Sequence, residues 1–212
     1  MNGMKRERSK PKQGNPKAFQ MPSVQTMLSR KSSITNAFVN SIIPVIQPSS
    51  DEVASSLRIL KIDPGELRCA YCGDKATEWD HLRPLVLQRR PTGFISEIAN
   101  LVPCCGKCNQ SKGNKNWRAW MLSNAKLSPA SRGVPDLEER VRRLEDYERW
   151  REVEPIDFGA IAKSDGWSEY WAMCESVVAG LRRSQELAER LKAAVIAQWR
   201  KARRSSAPRG ST

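Results

Sequence analysis

Two Cys-x2-Cys pairs, Cys69-Ala-Tyr-Cys72 and Cys105-Gly-Lys-Cys108, stand with 32 residues between them. Each pair can offer two thiolates to one tetrahedral ion, and zinc accepts four sulfurs as a closed structural site. The binding energy of such a clip becomes folding energy for the segment that it encloses. Enclosed here is Asp80-His81, and His81 is the only histidine in the chain. A carboxylate beside an imidazole is a common coincidence, but a sole imidazole inside a stapled loop is harder to dismiss. Two cysteines remain. Cys104 lies next to Cys105, and only Cys105 reproduces the Cys69-to-Cys72 spacing towards Cys108, so Cys105 is the expected ligand. Cys174 falls on an apolar helical stripe and is expected in a core. In a chain whose thiols are expected to stay reduced, pairs of this kind point to metal rather than to disulfides.

Local elements must carry these groups to one place. Thr77 to Leu85 has β-compatible character, and strict alternation in a strand sends Asp80 and His81 to opposite faces. A bulge, or the loop after the strand, is therefore expected to bring both to one site. Residues 88–99, with Arg89-Arg90-Pro91 and Gly93, are expected as a loop, and Asn100-Leu-Val-Pro as a short return strand. A helix is expected to start around Lys107 to Asn109 and to run to about Leu122, with Trp117, Trp120 and Met121 on its packed face. Its polar edge carries Asn109, Lys112 and Asn116.

Cys69, Cys72, Asp80, His81, Asn100, Cys105, Cys108 and Asn109 together resemble the HNH, or ββα-metal, nuclease family, in the subgroup whose hairpin and helix are held by two Cys-x2-Cys knuckles. In the family's order of letters the chain reads His81, Asn100, Asn109. The resemblance covers about fifty residues and implies a fold that is mostly α with a small α+β core, a ββα-metal motif stapled by a four-cysteine zinc site and flanked by N- and C-terminal helices. It implies that Asp80 and His81 do meet at one metal. It also implies that Asn100 bonds backbone groups across the loop and holds the His81 strand.

The flanks divide by composition. Residues 1–32 are basic and polar and are expected as a flexible arm, and 33–66 as a helical segment. Within the latter, Pro44 stops a helix marked by Ile34, Phe38, Ile42 and Ile43, and Ser49 with Glu52 forms a capping box for a second helix to about Leu60. The nuclease core is expected at 67–122. A C-terminal helical region at 123–200 carries stripes at Leu137, Val141, Leu144 and at Trp167, Trp171, Cys174, Val178, Leu181, continued by Leu187, Leu191 and Val195, with Gly180 as an expected interruption. Residues 201–212 form a basic tail. No apolar run is long enough for a membrane, and the charged N-terminus has no apolar core behind it, so no signal peptide and a cytoplasmic location, bacterial or phage-encoded, are expected.

The chain holds 36 Lys and Arg against 23 Asp and Glu, a formal charge of +13, and this balance favours polyanions through counterion release. Hydrolysis of a phosphodiester needs an activated water, charge stabilisation and help for the leaving oxygen, and one divalent ion supplies the last two. Mg²⁺ or Mn²⁺ would take oxygen from Asp80 and Asn109, and His81, with an ordinary pKa near about 6.5, is the candidate general base. Arg89, Arg90, Lys112 and Arg118 are candidate phosphate contacts. The reading is therefore a metal-dependent endonuclease for double-stranded DNA, restriction-type or from a mobile element or phage, with a homodimer suited to palindromic sites. A zinc-stabilised nucleic-acid-binding module without catalysis accounts for the cysteines and charge equally well, but leaves Asp80-His81 and Asn109 as accidents. An RNA nuclease is the third reading, since general-base chemistry does not select the sugar.

Overall fold

The computed structural model describes residues 22–163 and 166–205, so most of the expected basic arm and residues 206–212 of the tail lie outside the described residues. A 3-10 turn at Met27–Arg30 leads into α1 (Lys31–Ile42), which ends before Pro44 because the residue preceding proline is forced out of the helical region. Helix α2 (Ser50–Leu60) opens on the capping box foreseen in the sequence. Ser49 Oγ accepts the Glu52 N–H at 3.3 Å, and Glu52 Oε2 accepts the Ser49 N–H at 2.8 Å.

Strand β1 (Glu78–His81) follows the first cysteine pair. Two two-residue strands, β2 (Val86–Leu87) and β3 (Arg90–Pro91), make a tight hairpin across Gln88 and Arg89, both at positive φ, 49° and 64°. This hairpin occupies the front of the stretch expected as a plain loop. Strand β4 (Leu101–Cys104) pairs antiparallel with β1, Asp80 opposite Val102 and His81 opposite Leu101. The register has no bulge.

The helix expected from about residue 107 to 122 is two helices, α3 (Gly106–Lys112) and α4 (Trp117–Met121). Gly113 adopts φ 51° and ends α3, Lys115 Nζ caps the freed carbonyls of Ser111 and Lys112 at 2.7 and 3.3 Å, and Asn116 Oδ1 starts α4 by accepting the Ala119 N–H. The break re-aims the chain so that Trp117 and Trp120 are almost fully buried beside the cysteines. Helix α5 (Leu137–Trp150) follows, then a single turn, α6 (Phe158–Ile161), and α7 (Trp167–Ser205). Gly180 does not interrupt α7. The flanking run of good helix formers offsets the ~1 kcal/mol cost of one glycine.

Two cores result. The first gathers the four paired cysteines, Tyr71, Val102, Trp117 and Trp120 with α2 and α5. The second packs Val39 and Ile43 of α1 and Trp171 and Cys174 of α7 against Leu85 and Val86. Residues 82–86, directly after His81, join the two. Among the described residues no helix is long and apolar enough to cross a membrane.

Candidate active site

The Sγ atoms of Cys69, Cys72, Cys105 and Cys108 lie within 4.8 Å of one another, all four residues buried. Cys72 and Cys105 sulfurs are 3.7 Å apart, far beyond a disulfide. They match the edge of about 3.8 Å for sulfurs about 2.3 Å from a shared tetrahedral ion. Hydrogen bonds from the Cys108 and Cys69 thiols hold Cys72 far below the usual thiol range, while Cys108, on the other side of the bonds with Cys69 and Cys72, is pushed far up. The donor set therefore fits zinc. Outside it, Arg132 donates from Nη1 to Cys108 Sγ at 3.4 Å and from Nη2 to Asp74 at 2.9 Å. Cys104 is fully buried on β4 and outside the cluster, its thiol pushed up by burial and by Asp80.

The first cysteine pair also positions a phenol. Tyr71, between Cys69 and Cys72, is fully buried and donates its hydroxyl to Asp80 Oδ2 at 2.6 Å. Burial, then the Asp80 charge, raises the Tyr71 pKa well above its ordinary value, so the phenol remains a donor. The same Oδ2 receives Lys112 Nζ at 2.9 Å. Both bonds fall on one oxygen, and Oδ1 takes none among the described residues.

Lys112 corrects the sequence reading. Its side chain is completely buried, and besides Asp80 its ammonium donates to the His81 carbonyl at 2.7 Å and the Gly113 carbonyl at 3.4 Å. It pins α3 to β1 and has no route to a phosphate. Arg90 is likewise occupied, paired with Glu175 at 2.8 Å and stacked 4.5 Å over the Trp171 ring. Arg118 pairs with Glu145 and lines a different depression, with Arg83 and Glu148. Of the four candidate phosphate contacts, Arg89 alone lines a cavity next to the Asp80–His81 pair.

A cavity of about 250 Å³ is bounded by Asp80, His81 and Asn109, with Asn36 and Asn40 of α1 across from them. Alternation thus does not keep Asp80 and His81 apart here. No bulge is needed, because the cavity lies at the end of β1, where the chain turns. His81 is half-buried, and its Nε2 lies 2.8 Å from Ser96 Oγ. Burial lowers the His81 pKa, Lys112 adds to this and Asp80 opposes it, so the ring is neutral near pH 7. Asn109 donates from Nδ2 to Glu78 Oε2 at 2.5 Å, and its Oδ1 has no partner among the described residues. Asp80 Oδ1 and Asn109 Oδ1 are the hard oxygens that would suit Mg²⁺ or Mn²⁺. Asn100, fully buried, accepts the Arg83 N–H at 2.8 Å and donates to the carbonyls of Arg83 and Ile95 at 3.1 Å each.

Three participants escaped the sequence reading. Ser96, which holds the ring of His81, is itself clamped by the α1–α2 link: Ile46 N–H donates to its carbonyl and its own N–H donates to Pro44 O. Nothing in the residues around Ser96 announces this. Tyr71 was visible as the interior of a Cys-x2-Cys pair. Glu78 was visible too, since period 2 sets it on the Asp80 face of β1.

Residues 69–115 match the family model described as HNH endonuclease. The segment is an HNH domain. A stretch of 79 residues, 35% of the chain, is 38% identical to the CRISPR-associated endonuclease Cas9 of Corynebacterium diphtheriae, of whose length it covers 7%. No solved structure matches. The HNH domain thus spans the paired cysteines, β1 through β4 and α3, and α1, α5 and α7 lie outside the match.

Proposed function

We propose that the protein is a metal-dependent endonuclease that hydrolyses phosphodiester bonds of double-stranded DNA. One observation carries the reading: Asp80, His81 and Asn109, all within the HNH match, border a single open cavity. A divalent ion held there by Asp80 and Asn109 would stabilise charge on the phosphoryl oxygens and on the departing 3′ oxygen. His81 acts as general base. In the tautomer that donates Nε2–H to Ser96 Oγ, Nδ1 is the nitrogen left to take the proton of the attacking water. Tyr71 and Lys112 both bind Asp80 Oδ2 and so leave Oδ1 available to an ion, and Asn100 ties residue 83 to residue 95 and keeps the turn after His81 closed.

Zinc in the four-cysteine cluster has a structural role, fixing β1 and α3 relative to each other, in a reducing compartment such as a bacterial cytoplasm. A restriction enzyme or a mobile-element or phage nuclease fits best, because α1, α5 and α7 add surface around the HNH domain. The outer half of α7 leaves Leu187, Leu191, Val195 and Trp199 exposed at four-residue spacing, and pairing with a second copy covers this stripe.

The test is digestion of plasmid and phage DNA by the purified protein in Mg²⁺ or Mn²⁺, beside His81→Ala, with product ends sequenced. Discrete ends that vanish in the variant support the reading. DNA that is bound but never cut indicates a binding module, and cleavage confined to RNA duplexes indicates an RNA nuclease.

A further inference from the structure

The small cavity over Asp80 and His81 does not close on itself. It shares Asn36, Val86, Gly113 and Asn114 with a neighbouring cavity of about 820 Å³, so the two form one trough. One wall is the end of α3 and the α3–α4 link, with Gln110 and Lys115, and the other is α1. From its outer end to the candidate site, α1 presents Ser32, Asn36 and Asn40, four residues apart and all exposed. That stripe is about 12 Å long, three to four nucleotide steps at the ~3.4 Å rise of one strand.

Among the described residues the outer part of the trough carries charge of one sign. The larger cavity is lined by Lys31, Arg89 and Lys115 and by no acidic residue, and α1 contains none. The side chains of Lys31 and Arg89 have no ion-pair or hydrogen-bond partner among the described residues, and the Lys115 ammonium makes only carbonyl contacts. The single acid of the whole trough is Asp80, at the reacting end. Amide and hydroxyl side chains along a floor with free cations at its far end make a track for a phosphodiester backbone.

The wall is fixed in place. Val39 and Ile43 pack on Leu85 and Val86, four and five residues after His81, and on Trp171 and Cys174 of α7. Tyr170 Oη donates to the Phe38 carbonyl at 2.7 Å from the same side. The buried face of α1 thereby sets the distance between its Asn36–Asn40 edge and the site.

We propose that α1, outside the HNH match, is the second wall of the substrate cleft: Ser32, Asn36 and Asn40, with Lys31, Arg89 and Lys115, carry the DNA strand that runs away from the scissile phosphate. This rests on the nuclease reading. The test compares two charge isomers of the full chain, Asn36→Asp/Asn40→Asp, which face the trough, and Ser33→Asp/Ala37→Asp, exposed on the same helix but outside it.

Binding of a fluorescent DNA duplex is measured by anisotropy in the zinc-loaded His81→Ala background, and cleavage in the His81 background. The trough isomer loses on the order of tenfold in affinity through repulsion of the phosphates, while the outer isomer stays near the parent. Thermal melts confirm that both are folded. Equal losses in the two isomers, or no loss in either while the parent binds and cuts, overturn the proposal and leave the nuclease reading intact. A parent that neither binds nor cuts DNA overturns both.

Discussion

Lys112→Met separates a structural ammonium from a phosphate contact. The side chain of Lys112 has no solvent exposure, its Asp80 partner retains 8%, and the ammonium also satisfies two backbone carbonyls. Methionine preserves the length of the stem and removes only the charge and the donors. Breaking one side of a buried ion pair costs about 3–5 kcal/mol, because the remaining charge loses its partner without regaining water. Tyr71 stays bonded to Asp80 and holds the loss inside that range rather than above it. Against a typical domain stability of about 5–15 kcal/mol the change is large, and with a urea slope of about 2 kcal/mol per molar it moves the midpoint down by roughly 2 M. Equilibrium urea unfolding of the zinc-loaded protein reads this directly. Adding Asp80→Asn recovers part of the loss, so the double variant falls short of additivity by about 1–3 kcal/mol. A midpoint within about 0.3 M of the parent, or strict additivity, refutes the pin. Unchanged stability with weakened DNA binding would restore Lys112 to the phosphate contacts.

Cys69→Ala leaves three sulfurs for the ion, and zinc content by atomic emission falls below one per chain as the melt loses its cooperative transition. Because burial lowers the His81 pKa, kcat/KM rises with pH to a midpoint below about 6.5 and is flat through neutrality; a midpoint above that value in a pH–rate profile argues against His81 as base. The same lowered pKa makes the unfolded chain the better proton binder, so its contribution to stability is present above about pH 6.5 and is lost as the pH falls through the folded value, measurable as acid-side melts that flatten in His81→Ala. Leu191→Lys, in the exposed stripe of α7, converts a dimer to a monomer in sedimentation analysis without shifting the melt of the HNH core.

The centre of the molecule was legible because its information is local and coded by residue type. Four cysteines in two pairs announce a candidate metal cluster, and Asp80-His81 between them lies at the end of β1, on the border of the cavity. What failed did so for physical reasons. Lys112 reads as solvated on any amphipathicity argument, yet it lies one turn after Cys108, on the face that the sulfur cluster buries. The sequence did carry that signal. The break at Gly113 was signalled too, by a glycine followed by Asn-Lys-Asn, but the apolar tryptophans beyond it imitated a continuous helix. The contacts of Ser96 with His81, and of α1 with the trough, join residues 15 and more than 40 positions apart through a second core that no local pattern encodes.

Tyr71 sits between two cysteines of the cluster and hydrogen-bonds the carboxylate of Asp80 at the candidate site. The cysteine cluster and the candidate site are therefore linked through a single side chain, and a shift of the knuckle would carry the phenol with it. Loss of an ion from the knuckle through oxidation or chelation would loosen the phenol's hold on Asp80. Thiol damage would then switch cutting off at an early stage, a safe failure mode for a nuclease of the proposed kind.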